Sequence, residues 1–134
     1  MDDKTKILVV DDDEVVRLSH QRSLAGAHYQ VVAVWNGAEA LAAMERQPFD
    51  VILLDLRMPG VDGMSVLRMI KERWPETEVV IVTGYPSLET VKEAVELGAC
   101  DYLTKPVGPD EVIHAAHDAA TRKKWALRQV PAVA

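Results

Sequence analysis

The sequence has little of several features that mark other classes of protein. A single cysteine, Cys100, excludes an internal disulfide and a cysteine-based metal cluster. No apolar run is long enough to span a bilayer, and the acidic stretch Met1–Lys4 is unlike the start of a secretory signal. The formal net charge of −6 argues against direct binding to nucleic acid, which needs a basic face. These absences predict a cytoplasmic protein that contacts neither membrane nor nucleic acid.

What the sequence does contain is a regular alternation of short apolar runs with longer amphipathic stretches. Its 134 residues suffice for one domain. Predicted strands cover residues 7–10, 29–35, 51–54, 78–82 and 100–103, and predicted helices cover about 15–26, 38–46, 64–74, 88–98 and 110–128. We expect Asp12 or Asp13 to cap the first helix, Ser87 the fourth and Asp110 the fifth. The alternation predicts an α/β fold, a doubly wound parallel sheet of five strands with helices on both faces.

Residues that carry chemistry follow the predicted strands where they end. Asp11–Asp13 follow the first strand, Asp55 the third, Thr83 the fourth and Lys105 the fifth. Taken singly, each of them fits an ordinary turn former, helix cap or surface group. Because parallel strands end at one edge of the sheet, where open α/β folds place their sites, we expect these residues to converge.

An edge of this composition is suited to holding a phosphoryl group. Two carboxylates about 4 Å apart repel each other by roughly 4 kcal/mol at an effective dielectric constant near 20, so a cation must offset the repulsion. Mg²⁺ prefers oxygen ligands of this kind and commonly binds phosphate as well. Lys105 would neutralise further phosphoryl charge, Thr83 would donate a hydrogen bond, and a carboxylate would act as nucleophile.

Four motifs in this order resemble the receiver domain of two-component response regulators. They are Ile7–Asp13, Leu53–Gly63, Val79–Gly84 and Asp101–Pro106. The resemblance covers nearly the whole chain, from Lys6 to about Ala120, and it implies a flavodoxin-like (βα)5 fold with strand order 2-1-3-4-5. It also implies a receiver domain over residues 1–120. Residues 121–134 would form the end of the last helix and a frayed tail, which would link the receiver to any output domain.

The resemblance assigns roles to the acids, motif by motif. Asp55 would accept the phosphoryl group, and Asp12 would bind Mg²⁺ directly, together with Asp55 and the backbone carbonyl of Arg57. Asp11 would complete the acidic pocket, mainly through water. Asp13 is more consistent with a helix cap than with a metal ligand.

Three further residues receive roles from the same resemblance. Lys105 would contact the phosphoryl group, and Thr83 would be the switch hydroxyl that moves toward it. Tyr102 would be the switch aromatic, turning inward into the space left by Thr83. The family also has a cis peptide before the proline that corresponds to Pro106, which points the lysine inward.

The implied function is signalling by phosphotransfer, without enzymatic turnover beyond the protein's own phosphorylation and dephosphorylation. Asp55 would take the phosphoryl group from a sensor histidine kinase or from a small donor such as acetyl phosphate. The surface of the fourth helix, fifth strand and fifth helix would then change and engage a partner protein, an output domain or a second copy. The output stays open between a transcriptional regulator, a stand-alone phosphorelay receiver and a hybrid kinase. The residues around Thr83 and Tyr102 most resemble those of receivers attached to ATPase or DNA-binding output domains.

Two bulky residues flank the predicted route of water to the phosphoryl group. Arg57 lies two residues after Asp55, and Tyr85 lies two residues after Thr83. One hypothesis is that they shield the phosphoryl group and lengthen its lifetime, and the alternative is that both are exposed without a kinetic role. Gly84, which has no side chain, would keep the entrance open.

Two other classes were compared with the receiver interpretation. Phosphatases with an aspartate nucleophile resemble a DxDxT pattern, but Arg57 stands where the second acid should be. A flavin binder needs a glycine-rich loop after the first strand, and Asp11–Asp13 would repel the flavin phosphate. None of the four histidines adjoins a strand end, so none is predicted as a site residue: His20, His28, His114 and His117.

Overall fold

The computed structural model has the predicted alternation of five strands and five helices. It describes residues 4–26 and 28–132, with side chains as far as Lys124. In chain order the elements are β1 (Thr5–Val10), α1 (Glu14–Leu24), β2 (Tyr29–Val34), α2 (Gly37–Arg46), β3 (Val51–Leu54), α3 (Gly63–Arg73), β4 (Glu78–Thr83), α4 (Leu88–Glu96), β5 (Asp101–Thr104) and α5 (Pro109–Ala132). The bounds of β3 are those predicted, and the other ends lie within a few residues of their predicted positions.

The five strands form one parallel sheet in the order β2-β1-β3-β4-β5, which confirms the predicted fold class. Leu54 at the end of β3 is paired with Val10 on one side and with Ile81 on the other. Thr83 at the end of β4 is paired with Thr104 at the end of β5. The strands therefore finish at one edge nearly in step, and the residues that follow them become neighbours.

Helices cover both faces of the sheet, so its central strands are buried on both sides. On one face, side chains such as Ile52 pack with α2, α3 and α4. On the other face, side chains such as Leu53 pack with α1 and α5. The four residues Val51–Leu54 are each at most 2% exposed, which accounts for the unbroken apolar sequence of β3.

Side-chain caps account for the starts of three helices, and one predicted cap was wrong. Asp13 caps α1, Asn36 caps α2 and Ser87 caps α4, each by accepting a hydrogen bond from a backbone N–H of the first turn. Asp110 does not cap α5, because that helix already begins at Pro109. Proline is favoured at a first helical position, and Asp110 in the first turn complements the helix dipole.

The last helix is longer than predicted and is tied to the starting edge of the sheet. It runs to Ala132, beyond the predicted end near residue 128. Lys123 pairs with Asp50, and Arg122 lies 3.7 Å from the carboxylate of Glu78. The predicted boundary at residue 120 thus falls within a continuous helix. The tail predicted to fray covers residues 130–134, of which residues 130–132 belong to the helix and residues 133–134 lie outside the described part of the chain. Within the described ranges, no helix is both long and apolar enough to cross a membrane.

Candidate functional site

Two of the predicted site acids are buried side by side at the carboxyl edge of the sheet. Asp11 directly follows β1 and Asp55 directly follows β3, two strands whose last residues are paired. The Asp55 N–H donates to the Val10 carbonyl oxygen at 3.0 Å, which continues the strand pairing by one residue. Asp11 is 1% exposed and Asp55 is 4% exposed. Carboxylates buried this deeply require a cation nearby.

Asp12 joins these two acids in one cluster. One carboxylate oxygen each from Asp11, Asp12 and Asp55 lies within 4.8 Å of the other two, and Asp12 is the exposed member. Asp13 instead accepts a hydrogen bond from the Val15 N–H at 2.9 Å, which confirms it as the cap of α1. Three carboxylate oxygens at this spacing, open to solvent on one side, fit a hard divalent cation such as Mg²⁺.

Lys105 supplies the cationic group of the site. Its Nζ lies 2.7 Å from Asp11 Oδ2 and 3.2 Å from Asp55 Oδ2, so one ammonium bridges the two buried carboxylates. The Lys105 N–H also donates to the Thr83 carbonyl oxygen at 2.8 Å, which fixes the lysine to the end of β4. The Lys105–Pro106 peptide bond is cis, as the family resemblance implied.

Burial and neighbouring charges shift the pKa values of Asp55 and Lys105. Burial raises the pKa of Asp55 above its ordinary value and the Asp11 charge adds to the rise, while hydrogen bonds from the Arg57 N–H and from Lys105 act against it. Burial alone would lower the pKa of Lys105. Its contacts with Asp11 and Asp55 outweigh burial, so the pKa of this lysine lies above its ordinary value. The ammonium is therefore held charged between two acids.

Thr83 and Tyr102 lie on the neighbouring strands β4 and β5, and Tyr102 contacts the first turn of α4. Thr83 is the last residue of β4 and is fully buried, and its hydroxyl accepts a hydrogen bond from the Tyr85 N–H at 3.2 Å. The half-buried Tyr102 places its hydroxyl 2.7 Å from that of Thr90 in the first turn of α4. Thr90 was not among the predicted site residues, since its hydroxyl reaches Tyr102 only through the packing of α4 on β5.

Arg57 and Tyr85, the two bulky residues predicted to flank the route of water, contact each other. The Arg57 guanidinium carbon lies 4.2 Å from the centre of the Tyr85 ring, a cation–π contact. The Arg57 N–H donates to Asp55 Oδ1 at 3.1 Å, which holds the residue beside the acid. At Gly84 an added Cβ would approach Lys105 no closer than 3.9 Å, so the glycine leaves the space above the lysine open.

Two residues of α1 belong to the surroundings of the site, and the sequence analysis missed both. Arg17 Nη1 donates to the Asp11 carbonyl oxygen at 2.8 Å. His20 is 4% exposed, and within the described ranges its Nδ1 is the buried side-chain nitrogen or oxygen without a hydrogen-bond partner. Burial lowers the pKa of His20, the Asp11 charge works against this fall and the Lys105 charge adds to it. The sequence indicates the burial of His20 only through its spacing of four residues from Leu24, which places both side chains on the same face of α1, where Leu24 is buried.

The remaining histidines lie away from the acid cluster, in agreement with the prediction. His114 pairs with Asp118 on the exposed side of α5. His28 and His117 line a cleft of about 300 Å³ at the opposite edge of the sheet, where β1 and β2 begin. This cleft is larger than the space beside Thr83, but among the described residues the buried carboxylates, Asp11 and Asp55, lie at the other edge.

Curated proteins with similar sequences are transcriptional regulators several times longer than this chain. The chain is 43% identical over 107 residues to the DNA-binding transcriptional regulator NtrC of Escherichia coli (strain K12), a match that covers 80% of this chain and 23% of that protein. It is 36% identical over 128 residues to the transcriptional regulatory protein ZraR of Salmonella typhimurium, covering 96% of this chain and 29% of that protein. The chain thus spans about a quarter of the length of these relatives.

Solved structures of similar fold include receivers alone and receivers within longer chains. NtrX from Brucella abortus superposes with a TM-score of 0.88 at 30% identity, over 98% of this chain and 30% of that one. A CheY-like response regulator receiver domain protein from Methanospirillum hungatei JF-1 also gives 0.88 at 28% identity, over 92% of this chain and 98% of that one. The family model for the response regulator receiver domain matches residues 7–117. The chain therefore belongs to the receiver domain family of two-component response regulators.

Proposed function

We propose that Asp55 accepts a phosphoryl group and that this modification switches the surface around α4. The observation that carries the proposal is the convergence of Asp11, Asp12, Asp55 and Lys105 at the ends of separate strands. Membership of the receiver family supports the same chemistry. Asp12 adds a third carboxylate beside a pair that Lys105 already bridges, and a bound cation would offset the added repulsion, which supports the proposal.

The chain's own residues have separable tasks in the transfer. A carboxylate oxygen of Asp55 attacks the phosphorus of a phosphohistidine, so that an O–P bond forms as the N–P bond breaks. The imidazole leaves with the bonding electrons and takes up a proton. Lys105 Nζ, already 3.2 Å from Asp55 Oδ2, is positioned to neutralise phosphoryl oxygens, and the Thr83 hydroxyl can donate to one of them.

The acid cluster is the proposed Mg²⁺ site. Asp12, Asp55 and the backbone carbonyl of Arg57 would bind the ion directly, with Asp11 acting through water. When bound, Mg²⁺ supplies positive charge that offsets the repulsion among the acids and that of the incoming phosphoryl oxygens. Its ligands thus include the residue that is modified, which couples metal binding to phosphorylation.

Phosphorylation is proposed to act through the residues that border α4. The acyl phosphate brings up to about two negative charges and new acceptor oxygens to the end of β3. Thr83 would move toward these oxygens, and Tyr102 would turn inward. The surface formed by α4, β5 and α5 would then bind an output domain, a partner protein or a second copy of the chain.

The donor and the output are proposed from the relatives. Receiver domains of response regulators take their phosphoryl group from histidine kinases, so we propose a sensor histidine kinase as donor and the cytoplasm as the compartment. NtrC and ZraR are transcriptional regulators, and we propose that this receiver controls an output of that class. A stand-alone phosphorelay receiver and a hybrid-kinase receiver are the alternatives. We propose no nucleic-acid contact by this chain itself.

The stacked pair Arg57 and Tyr85 is proposed to protect the phosphoryl group from water. Both residues line a cleft together with Thr83, and their 4.2 Å contact holds each in place against the other. The backbone N–H of Arg57 donates to Asp55 Oδ1, which fixes the backbone of Arg57 beside the acid, and the contact with Tyr85 is what holds its guanidinium. The pair would therefore slow hydrolysis and leave transfer from a donor, which arrives from outside, less affected.

Labelling with radioactive acetyl phosphate tests the proposed function. Wild type should take up phosphate in the presence of Mg²⁺ and lose the labelling in excess EDTA, and Asp55→Asn should remain unlabelled. Asp13→Asn is the matched control, because Asp13 lies outside the acid cluster and asparagine caps a helix equally well. Labelling of Asp55→Asn at the wild-type rate would refute the proposal. Continuous turnover of a phosphomonoester would favour an aspartate-nucleophile phosphatase instead.

A further inference from the structure

The hydroxyl of Thr90 joins two parts of the protein that the switch would have to move. It lies 2.7 Å from the hydroxyl of Tyr102, in β5. The same atom accepts a hydrogen bond from the Ser87 N–H at 3.2 Å, and the Thr90 N–H donates to Ser87 Oγ at 3.1 Å. These reciprocal bonds form the capping box of α4. One side chain therefore connects the switch aromatic to the start of a helix.

Counting protons indicates which group donates in the contact with Tyr102. A threonine hydroxyl carries one proton and two lone pairs. The Ser87 carbonyl oxygen, 3.0 Å away, can only accept, and the Ser87 N–H can only donate. The Ser87 hydroxyl lies 2.9 Å from the Thr90 hydroxyl oxygen, and either group can donate in that contact. When the Ser87 hydroxyl directs its proton elsewhere, the Thr90 proton goes to the Ser87 carbonyl and one lone pair is left for Tyr102, which then donates to Thr90.

The helix that receives this bond is loosely packed compared with its neighbours. Among the residues of α4, Ala94 is the buried one, whereas α3 buries five residues. Leu88 and Val95 of α4 are 72% and 63% exposed. With few buried contacts to break, α4 can shift at low cost, and the bonds at its start are a large share of what holds it.

The space beside Thr90 can receive the tyrosine ring after the bond is broken. A cleft of about 200 Å³ lies between Thr83 and Thr90, bordered by Leu56 and Met64. Met64 belongs to the apolar cluster against which Leu56 and Tyr102 both pack. Rotation toward Thr83 would therefore bring the ring toward apolar side chains, with Arg57 and Glu93 at the border of the cleft, and would break the hydrogen bond to Thr90.

We propose that Thr90 is a positioning residue, which holds Tyr102 in its half-buried position in the unphosphorylated protein and ties its release to the cap of α4. The inference rests on the proposed phosphorylation of Asp55. Before modification, the bond favours this position of the ring and an intact capping box. Movement of Thr83 toward the phosphoryl group opens space for the ring, and the ring leaves Thr90 when it enters. The first turn of α4 then loses one of its anchors to the sheet.

Four variants of the full chain separate this role from ordinary helix capping. Thr90→Val and Tyr102→Phe each remove the bond between the two hydroxyls, and Thr90→Ser keeps it. Ser87→Ala weakens the capping box and leaves the Thr90 hydroxyl facing Tyr102. One hydrogen bond shifts a two-state equilibrium by about fivefold, so acetyl phosphate should label Thr90→Val and Tyr102→Phe about fivefold faster than wild type. The double variant should show no further gain, while Thr90→Ser and Ser87→Ala should stay near the wild-type rate.

A second measurement does not depend on phosphate. In urea unfolding, a double-mutant cycle between Thr90→Val and Tyr102→Phe should show a coupling of about fivefold in the unfolding equilibrium constant. Absence of coupling would overturn the proposal, as would a Ser87→Ala protein that is labelled as fast as Thr90→Val. Equal labelling of wild type and Asp55→Asn would instead refute the proposed function, and the unfolding cycle would still decide whether Thr90 holds Tyr102.

Discussion

Replacing Asp55 by asparagine should stabilise the metal-free protein. The carboxylate is 4% exposed and shares its surroundings with Asp11 and Asp12. The substitution keeps the size and shape of the side chain and removes its charge. Lys105 is not left without a partner, because its Nζ remains 2.7 Å from Asp11 Oδ2. The change therefore removes a buried charge without exposing another one.

The expected magnitude follows from the distances in the cluster. At an effective dielectric constant near 20, repulsion from Asp11, within 4.8 Å, costs at least about 3.5 kcal/mol, and attraction to Lys105 at 3.2 Å contributes about 5 kcal/mol. The exposed Asp12 adds a smaller repulsion that water screens, so the interactions between charges nearly cancel. The deciding contribution is the burial of the carboxylate, which we take as about 1–3 kcal/mol after hydrogen bonding. The free energy of unfolding of Asp55→Asn should exceed that of wild type by roughly this amount.

Urea denaturation in EDTA at neutral pH measures the difference, with Asp13→Asn as the control. Asp13 has no place in the cluster, so its variant should match wild type. Because the folded-state pKa of Asp55 is raised, the cost of its charge is present at neutral pH and disappears as the pH falls through that pKa. The advantage of Asp55→Asn should shrink accordingly in acid. It should also shrink on adding Mg²⁺, which stabilises the folded wild type by mass action. A variant less stable than wild type in EDTA would refute the reasoning.

Three further predictions address the surroundings of the site. Because burial lowers the folded-state pKa of His20, the wild type should lose stability as the pH falls below about 6.5, and urea denaturation of His20→Leu should show a weaker loss over the same range. Arg57→Ala and Tyr85→Ala should each lose radioactive phosphate faster than wild type after the donor is removed, and unchanged rates would show that the stacked pair has no kinetic role. At Gly63 a Cβ would lie 2.5 and 2.8 Å from backbone atoms, so Gly63→Ala should cost about 1–3 kcal/mol in thermal unfolding, whereas Gly108→Ala, with its nearest neighbour at 3.8 Å, should cost much less.

The fold could be predicted from the sequence because its signals are local and repeated. Each strand is a short apolar run and each helix a longer amphipathic stretch, and the parallel arrangement follows from their alternation. The errors lie at element ends, where neighbouring contacts decide. Asp110 resembles a cap, but Pro109 already fits the first helical position. The first helix ends at Leu24, ahead of Gly26, whose φ of +148° belongs to the turn that follows.

The site was predictable where residues follow strands and was missed where they lie on helices. The register of a parallel sheet brings Asp55 beside Asp11 whatever the details of packing. Lys105 reaches the same edge because it directly follows β5. The position of His20 near these acids depends on how α1 rotates and packs on the sheet. The bond between Thr90 and Tyr102 depends in the same way on α4. Helix orientation is set by many side-chain contacts, which a single sequence does not fix residue by residue.

The difference in packing between β3 and α4 determines where a change at Asp55 can be felt. The strand that carries Asp55 is buried on both faces, and moving it would open cavities in two apolar clusters, at a cost of several kcal/mol. The adjacent β4 is equally enclosed up to Thr83. A phosphoryl group therefore cannot act by displacing the strand it is attached to. The side chain of Thr83, the ring of Tyr102 and the lightly buried α4 are the parts that can respond, so the signal should leave the site through that helix.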